Sequence, residues 1–184
     1  MTIARIRPRT EDGTPTLPRE LTADPETNTL YINGMVVNQG LSGVSAYVST
    51  PAPTTLTDQS TWYALGGTFS HDILENFTFV AGPPPGIEYN GAESKFFKID
   101  FSGTVAGDQD DIDIEIGVAI NGTTPDVATI MGARLAVSGD NYNISGVCAL
   151  QLSTDDVVTI VARCTSNADR TITANYFTTT LTAF

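Results

Sequence analysis

The sequence predicts an all-β protein, built as an antiparallel sandwich or barrel. Short runs rich in β-branched and aromatic residues are separated by Gly, Pro, Asn and Asp, which is the pattern of strands and turns. The runs recur at regular spacing, and no stretch shows sustained helical periodicity. The clearest region is 143–184, where three such runs are joined by short polar turns. Within it, alternation predicts Ile172, Ala174 and Tyr176 on one face of a strand.

Composition supports one folded main domain and excludes some partners. The 184 residues are 41% apolar, which is enough for a sizeable core. Asp and Glu number 21 against 9 Lys and Arg, so the net charge of -12 argues against binding nucleic acid along a basic surface. No apolar run approaches the roughly 18 residues of a membrane span, and the N-terminus lacks a signal-peptide pattern. We therefore expect neither a nucleic-acid partner nor a membrane span.

Residues 1–41 differ from the rest and are predicted to form an extended arm followed by a β-hairpin. The arm holds four of the nine basic residues together with three prolines, which block regular helix or a central strand. A disordered terminus is one interpretation. A cationic arm can also anchor on an acidic partner surface, and the anchoring candidates are then Arg5, Arg7, Arg9 and Arg19. Further on, Asn33-Gly34 predicts a tight turn between strands 29–32 and 35–37.

The main domain is expected at residues 61–184, after a linker at 42–60 that is rich in Ser, Thr, Pro and Ala. Turn signals such as Asn90-Gly91 and Asn121-Gly122 separate its strands. The predicted strands are 62–65, 77–80, 95–105, 112–120, 128–137, 142–152, 157–162 and 171–182.

Three segments of this domain carry a resemblance to a known family. Residues 86–90 (GIEYN) lead into the strand of residues 94–101, residues 150–158 read LQLSTDDVV, and the last aromatic strand contains 174–177 (ANYF). Their order and spacing resemble the trimeric jelly roll of the tumour necrosis factor and complement C1q globular domains, which phage head fibres and decoration proteins also carry. Asp155 stands where that family usually has Gly, and the collagen stalk of C1q is missing. The resemblance implies an antiparallel jelly-roll sandwich that trimerises.

The most conspicuous charged feature is residues 108–116, DQDDIDIEI. As a strand, this segment directs its isoleucines into the core and places Asp111, Asp113 and Glu115 on the outer face, roughly 6–7 Å apart. We interpret it as a solvated acidic face. Carboxylate oxygens also suit Ca²⁺, so these three residues are candidates for a calcium or trimer-axis cation site, although the EF-hand spacing is absent. No other cofactor is predicted.

No catalytic residue is predicted. His71 beside Asp72 is the only position for a general base, and the sequence has no Gly-x-Ser-x-Gly nucleophile elbow. Cys148 and Cys164 lie in apolar strands, where thiols are usually inert. Two Cys and one His are too few for a structural zinc site within one chain. We expect buried free thiols, with a disulfide as the alternative if the two strands are neighbours.

Two adjacent aromatic pairs indicate self-association. Successive strand residues face opposite sides, so Phe96-Phe97 and Tyr176-Phe177 need apolar cover on both faces. In a lone sandwich one of those faces is exposed, whereas in an oligomer it is the subunit contact. We therefore predict a homotrimer with Phe97, Tyr176 and Phe177 at or near the threefold contact.

The resemblance and the lack of catalytic motifs imply a structural virion protein of a tailed phage. It would be a trimeric capsid decoration or head-fibre protein on the capsid exterior, made in the host cytoplasm and anchored on the major capsid protein by residues 1–41. The alternative is the receptor-binding tip of a tail fibre, whose loops 83–91 and 121–126 recognise host surface glycans. A third interpretation, a secreted C1q-like binding module, is disfavoured by the missing signal pattern.

Overall fold

In the computed structural model, the described residues are 21–24, 29–32, 35–38, 43–82 and 84–184. The chain divides into two units, Met1–Leu41 and Ser42–Phe184. Antiparallel β-sheet dominates the described part of both. A single turn of 3₁₀ helix at Val127–Thr129 is the one helical element in these ranges, so none of the described residues form a helix of the length and apolar character that crossing a membrane requires.

The first unit contains a three-stranded sheet in the order β1-β2-β3. Its strands are β1 (Leu21–Asp24), β2 (Thr29–Ile32) and β3 (Met35–Asn38). The pairing of β2 with β3, which begins at Ile32 and Met35, confirms the predicted hairpin. Strand β1 was not predicted, and it extends the hairpin by pairing Asp24 with Thr29. The predicted anchoring residues Arg5, Arg7, Arg9 and Arg19 lie outside the described residues.

The second unit consists of two sheets, here called sheet A and sheet B. Sheet A has the order β13-β10-β15-β4-β7, with β5 beside β15, and sheet B has the order β12-β11-β14-β9-β8, with β6 beside β14. The strands are β4 (Gly43–Pro51), β5 (Pro53–Leu56), β6 (Tyr63–Ala64), β7 (Gly67–Glu75), β8 (Phe77–Val80), β9 (Gly86–Tyr89), β10 (Lys95–Gly107), β11 (Ile112–Ile120), β12 (Met131–Leu135), β13 (Asn141–Leu152), β14 (Val157–Cys164) and β15 (Arg170–Ala183).

Four antiparallel pairs in this unit are nested in sequence. Strand β11 pairs with β12, β10 with β13, β9 with β14, and β4 with β15. Successive pairs alternate between sheet B and sheet A. A chain that pairs in this way is a long double strand rolled into two sheets, which is the jelly roll. The predicted all-β antiparallel jelly-roll sandwich is therefore confirmed from the strand pairing alone.

The core lies between the two sheets and is filled by alternate residues of each strand. In β11, Ile112, Ile114 and Ile116 are fully buried, as the alternation predicts. The rings of Phe77 and Tyr89 from sheet B pack around Phe97 of sheet A, with centroid separations of 5.0 to 5.3 Å. Tilted and edge-to-face aromatic contacts of this kind stabilise a core beyond simple burial. The aromatic cluster thus joins the two layers.

The interpretation of residues 42–60 as a linker was wrong. Strands β4 and β5 occupy most of that segment and lie in sheet A, where they pair with successive halves of the β15 edge opposite β10. Inward positions are buried, among them Val44, Ala46, Thr54 and Leu56, while most of the other Ser, Thr and Pro residues are exposed. A Ser- and Thr-rich composition is compatible with a half-exposed strand, so alternation was the informative signal here. The sandwich unit begins near residue 43 rather than 61.

Other differences are smaller. Strand β7 was not predicted, and β9 was recognised only as a family motif. The predicted strand 128–137 is instead a 3₁₀ turn, capped by the Asp126 carboxylate accepting a hydrogen bond from the Ala128 amide, followed by the shorter β12. A short polar side chain before a helical turn satisfies an otherwise unpaired amide, which explains why the strand cannot start earlier.

Candidate self-association surface

The outer face of sheet A is the surface that the strand register assembles from five strands. Directly paired residues of antiparallel strands share a face, so the register defines rows across the sheet. One row runs from Val147 through Asp100 and Thr180 to Ser45. The neighbouring rows run from Ala149 through Lys98 to Thr182, and from Ser145 through Ser102 and Thr178 to Tyr47.

Large apolar side chains are exposed on this face. Phe96 is 52% exposed, Val147 56% and Phe184 78%. The Phe184 amide donates to the Phe96 carbonyl at 3.2 Å, and their ring centroids lie 6.3 Å apart, so the two rings form one patch at the start of β10. Of the described residues, the other exposed large apolar side chains are Tyr47 and Tyr176 in sheet A, and Val127 and Val137 elsewhere. Contiguous exposed apolar surface marks an interaction site.

The part of this face formed by β13, β10, β15 and β4 is electrically neutral, and the edge strand β7 adds Glu75, which lies opposite Gly43. In the three rows, the charged side chains are Lys98 and Asp100, and they pair with each other at 3.0 Å. The chain as a whole carries a net charge of -12. Self-repulsion limits the approach of two copies of an acidic protein, and a neutral face removes that barrier locally.

Threonines line the centre of the same face. Thr178, Thr180 and Thr182 point outward from β15, the central strand. A β-branched side chain favours the strand conformation, and its hydroxyl donates or accepts hydrogen bonds at the surface. The centre of the face therefore presents small polar side chains beside the Lys98–Asp100 ion pair.

The structure corrects two of the predicted contact residues. Phe97 and Phe177 are fully buried inside the sandwich, so neither has surface to offer a second subunit. Phe96, the other member of the first pair, faces outward instead. Tyr176 is 82% exposed, and its place at a subunit contact stays a prediction. Sequence alternation could not decide which member of each pair faces the core, because that depends on the register with the neighbouring strand.

A bulge in β15 explains the outward position of Tyr176. Thr178 pairs with Ser102 and Asn175 with Thr104, so Tyr176 and Phe177 together oppose the single residue Gly103. Tyr176 has φ 52°, in the left-handed region. An extra residue in one strand shifts the inward phase by one position. Ile172 and Ala174 therefore share the buried face, as predicted, but Tyr176 does not. Phe177 is the next buried residue after Ala174.

The acidic residues in the first half of β11 and just before it lie on the outer face of sheet B, and two of them form ion pairs with arginines of the neighbouring strands. Arg134 of β12 pairs with Asp111 at 3.0 Å, and Arg163 of β14 pairs with Glu115 at 2.7 Å. The Asp111 carboxylate raises the pKa of the Arg134 guanidinium. Within the described residues, no three His, Cys, Asp or Glu side chains are grouped as a metal site requires. Of the candidate cation ligands, Asp111 and Glu115 thus form ion pairs with arginines of the flanking strands, and Asp113 lies opposite Arg134 in the strand register.

The loops predicted to bind glycans are only partly brought together. The side-chain amide of Asn121 donates a hydrogen bond to the Asp156 carboxylate at 2.6 Å. The backbone amide of Asp155 donates to the backbone carbonyl of Tyr89 at 2.8 Å. Residues 89–91, 121 and 153–156 therefore meet at one end of the sandwich. Gly86 pairs with Val80 at the far end of the β8–β9 hairpin, so the proline-rich turn lies away from this cluster.

The side chains considered for catalysis, His71, Cys148 and Cys164, lie in surroundings typical of residues with a structural role. The exposed ring of His71 stacks on Phe79 with a centroid distance of 5.3 Å. Cys148 in sheet A and Cys164 in sheet B are free thiols. Burial, with smaller contributions from the charges of Asp126 and Asp100, raises the pKa of Cys148 to about 11. A thiol with such a pKa is protonated at neutral pH and is a poor nucleophile.

The strand pairing defines the class of this protein: an all-β, two-sheet antiparallel jelly roll. Neither protein-family models nor curated proteins match the chain. Among solved structures, it is similar to the PRD1 vertex protein P5, with 14% identity over 79% of this chain and 99% of that one, and a TM-score of 0.43. It is also similar to the Eiger TNF from S. frugiperda, with 10% identity over 78% of this chain and 93% of that one, and a TM-score of 0.43. The CBM36-1 domain of a multidomain xylanase from the hindgut metagenome of Trinervitermes trinervoides matches at 14% identity over 70% of this chain and 96% of that one, with a TM-score of 0.30.

Proposed function

We propose that this protein is a non-enzymatic structural protein of a tailed-phage virion that assembles as a homotrimer through the outer face of sheet A. Its place would be the capsid exterior, as a decoration or head-fibre protein. The observation that carries the proposal is the threonine-lined and partly aromatic face, which is neutral across β13, β10, β15 and β4 on a chain of net charge -12.

Burial of this face in an assembly would remove the exposed rings from water. Phe96, Phe184 and Tyr176 offer apolar area of the kind that dominates interface energetics, and aromatic residues are enriched at interface centres. The Lys98–Asp100 pair can remain satisfied within one subunit, so no unpaired charge is buried when the face is covered. Polarity and charge therefore both favour contact with another copy.

The charged groups of the sandwich support a structural role. Glu115 and Arg163 pair across β11 and β14, while Asp111 and Arg134 pair between the start of β11 and β12. Pairs of this kind stabilise strand register. The proposed location in the virion is supported by the sequence resemblance and by the unit Met1–Leu41, whose sequence contains the arginine-rich arm.

The assembly part of the proposal is tested by light scattering on the full chain at micromolar concentration. The expected result is the mass of three chains, maintained on dilution and at raised salt, because an interface without net charge has little to lose to screening. A monomer at these concentrations would overturn it.

The capsid part is tested by co-sedimentation of the full chain with capsids that lack it. Replacing Arg5, Arg7, Arg9 and Arg19 with Gln is expected to weaken capsid binding and to leave the assembled mass unchanged. A matched control replaces Arg134 and Arg170 with Gln, which removes positive charge from the sandwich instead. If the quadruple variant binds capsids as the unchanged chain does, the arm is not the anchor.

The second candidate, a receptor-binding tip, is favoured by the convergence of residues 89–91, 121 and 153–156 at one end of the sandwich. Clustered loops on a rigid sheet scaffold are the usual place of recognition. The exposed Thr124 lies in one of the predicted loops. Under this candidate, Thr124→Trp would reduce binding of the full chain to host cells while leaving capsid binding unchanged. Capsid binding with no cell binding would support decoration.

A further inference from the structure

An apolar cavity of about 270 Å³ lies between the two sheets. Its walls come from sheet B, through strands β8, β9 and β14, and from β7 and the centre of sheet A. Thr68 and Ala81 are exposed at its rim, so it opens to solvent there. The apolar side chains that define its interior are Leu65, Phe69, Phe79, Ile87, Val158 and Ile160.

One polar side chain sits at the buried end of this cavity. Thr179 faces inward from the central strand of sheet A, where it pairs with Phe101 and Ala46, and it is 1% exposed. Its Oγ1 has no hydrogen-bond partner. Most buried polar atoms in folded proteins have a partner, so an unpaired hydroxyl beside a cavity indicates a missing group.

A water molecule is a poor occupant of this position. Buried waters are held by two to four polar groups, whereas apolar cavities stay dry. The side chains of the lining bring a single buried hydroxyl, that of Thr179, and no charge. An engineered apolar cavity of roughly 150 Å³ binds benzene, so this larger one has room for a molecule of about ten non-hydrogen atoms.

We propose that the cavity binds a small neutral amphiphile, such as a medium-chain alcohol, whose polar group hydrogen-bonds to Thr179 and whose apolar body fills the space between the sheets. A carboxylate of the same length would be excluded, because the lining has no cation to offset a buried charge. This inference is independent of the proposed virion role, because it concerns the interior of the sandwich rather than its outer face.

The test uses the full chain and three probes: 1-octanol, octanoate and toluene. Binding is followed by shifts in amide NMR signals, which also locate the site. The expected result is that 1-octanol and toluene shift the signals of Phe69, Phe79 and Thr179, and that octanoate binds at least tenfold more weakly than 1-octanol. No shift with any probe at millimolar concentration, or equal binding of octanoate and 1-octanol, would overturn the proposal.

Two variants test the role of the hydroxyl and of the space. Thr179→Val keeps the shape and removes the hydroxyl, so the affinity for 1-octanol falls about tenfold while that for toluene is unchanged. Ile160→Phe fills the cavity and weakens both probes, with amide dispersion checking that the variant is folded. If Thr179→Val binds 1-octanol as tightly as the unchanged chain, the hydroxyl does not recognise the ligand. Light scattering on the same samples reports the assembly separately.

Discussion

Sheets A and B bury their inner faces in the same way and differ in what they present outward. Sheet A presents threonines, exposed aromatic rings and one internal ion pair, and it carries no net charge in its central rows. Sheet B presents Asp113 and two cross-strand pairs, Asp111–Arg134 and Glu115–Arg163. The inward-facing residues of each strand form the core of the sandwich, whereas the outward-facing residues determine what each sheet can contact. We infer that sheet A is built for contact and sheet B for solvent.

The largest expected effect is on assembly and uses two valines of similar exposure. Val147 is on the outer face of sheet A, and Val137, 49% exposed, follows β12 of sheet B. Val147→Glu would bring like charges together in the subunit contact and weaken association at least about 100-fold, or about 2.8 kcal/mol. Val137→Glu would have no effect. Sedimentation equilibrium measures both, and equal dissociation by the two variants would contradict the assignment of the face.

The next effect is on stability and compares one glycine from each sheet. A methyl group at Gly103 would lie 2.6 Å from the Cα of Phe177, within the bulge, whereas at Gly132 the nearest atom would be 3.9 Å away. Backbone cannot move aside as a flexible side chain does, so Gly103→Ala should lower the free energy of unfolding by about 2–3 kcal/mol. Gly132→Ala should change it by less than about 0.5 kcal/mol. Urea unfolding at one protein concentration compares them, and similar midpoints would show that the bulge can relax.

A smaller effect separates the two ion pairs of sheet B. In the Arg163–Glu115 pair both side chains are 29% exposed, and the guanidinium also lies 4.7 Å from the centre of the Trp62 ring. In the Arg134–Asp111 pair the side chains are 63% and 65% exposed. Arg163→Met should therefore lower the free energy of unfolding by about 1–2 kcal/mol, and Arg134→Met by less than about 0.5 kcal/mol. Equal values, measured by chemical unfolding in low and high salt, would mean that burial adds nothing to the first pair.

At neutral pH the smallest effect is that of Cys148, whose contribution to stability changes only in alkaline solution. Its pKa of about 11 in the folded protein exceeds the ordinary value of 9.0 because burial disfavours the thiolate. The folded protein thus holds this proton more tightly than the unfolded chain. The resulting stability is complete below pH 9.0 and is lost as the pH rises to about 11. Cys148→Ala should remove this part of the pH dependence. Thiol alkylation of the unchanged chain should accelerate over the same range, and rapid labelling at pH 7 would contradict the assignment.

Strands with clean alternation were predictable from the sequence, and strands with weak side-chain contrast were not. The bounds of β8 and β11 match the prediction, because their runs of phenylalanine and isoleucine end at clear turn residues. Strand β4 was missed because small residues such as Ala46 do its inward packing and Ser and Thr hide the period. The two doubled aromatics predicted apolar side chains on both faces of sheet A, and one ring of each pair is exposed while the other is buried. They did not reveal which ring faces out, because a bulge in β15 changes the phase.

The candidate surface therefore depended on tertiary information. Tyr47 of β4, Val147 of β13 and Phe184 after β15 are far apart in sequence, and the registers of β10 and β15 bring them to one face. In the same way, nothing local to the acidic strand showed that Arg134 and Arg163 would lie opposite its carboxylates. Periodicity assigns a residue to a face of its own strand, but the neighbours on that face depend on which strands pair.

The nested strand order also has a consequence for how the chain reaches its fold. Strand β15 is the centre of sheet A, pairing with β10, β4 and β5, yet it is the last strand of the jelly roll to be synthesised. Until it emerges from the ribosome, β4 and β10 have open edges with nothing between them. Pairing can begin at the short β11–β12 connection and must close with β4–β15, the pair most distant in sequence, so contact order predicts slow folding. If copies of the chain associate through sheet A, the contact surface is complete only after β15 has paired, so association would follow the folding of the whole sandwich.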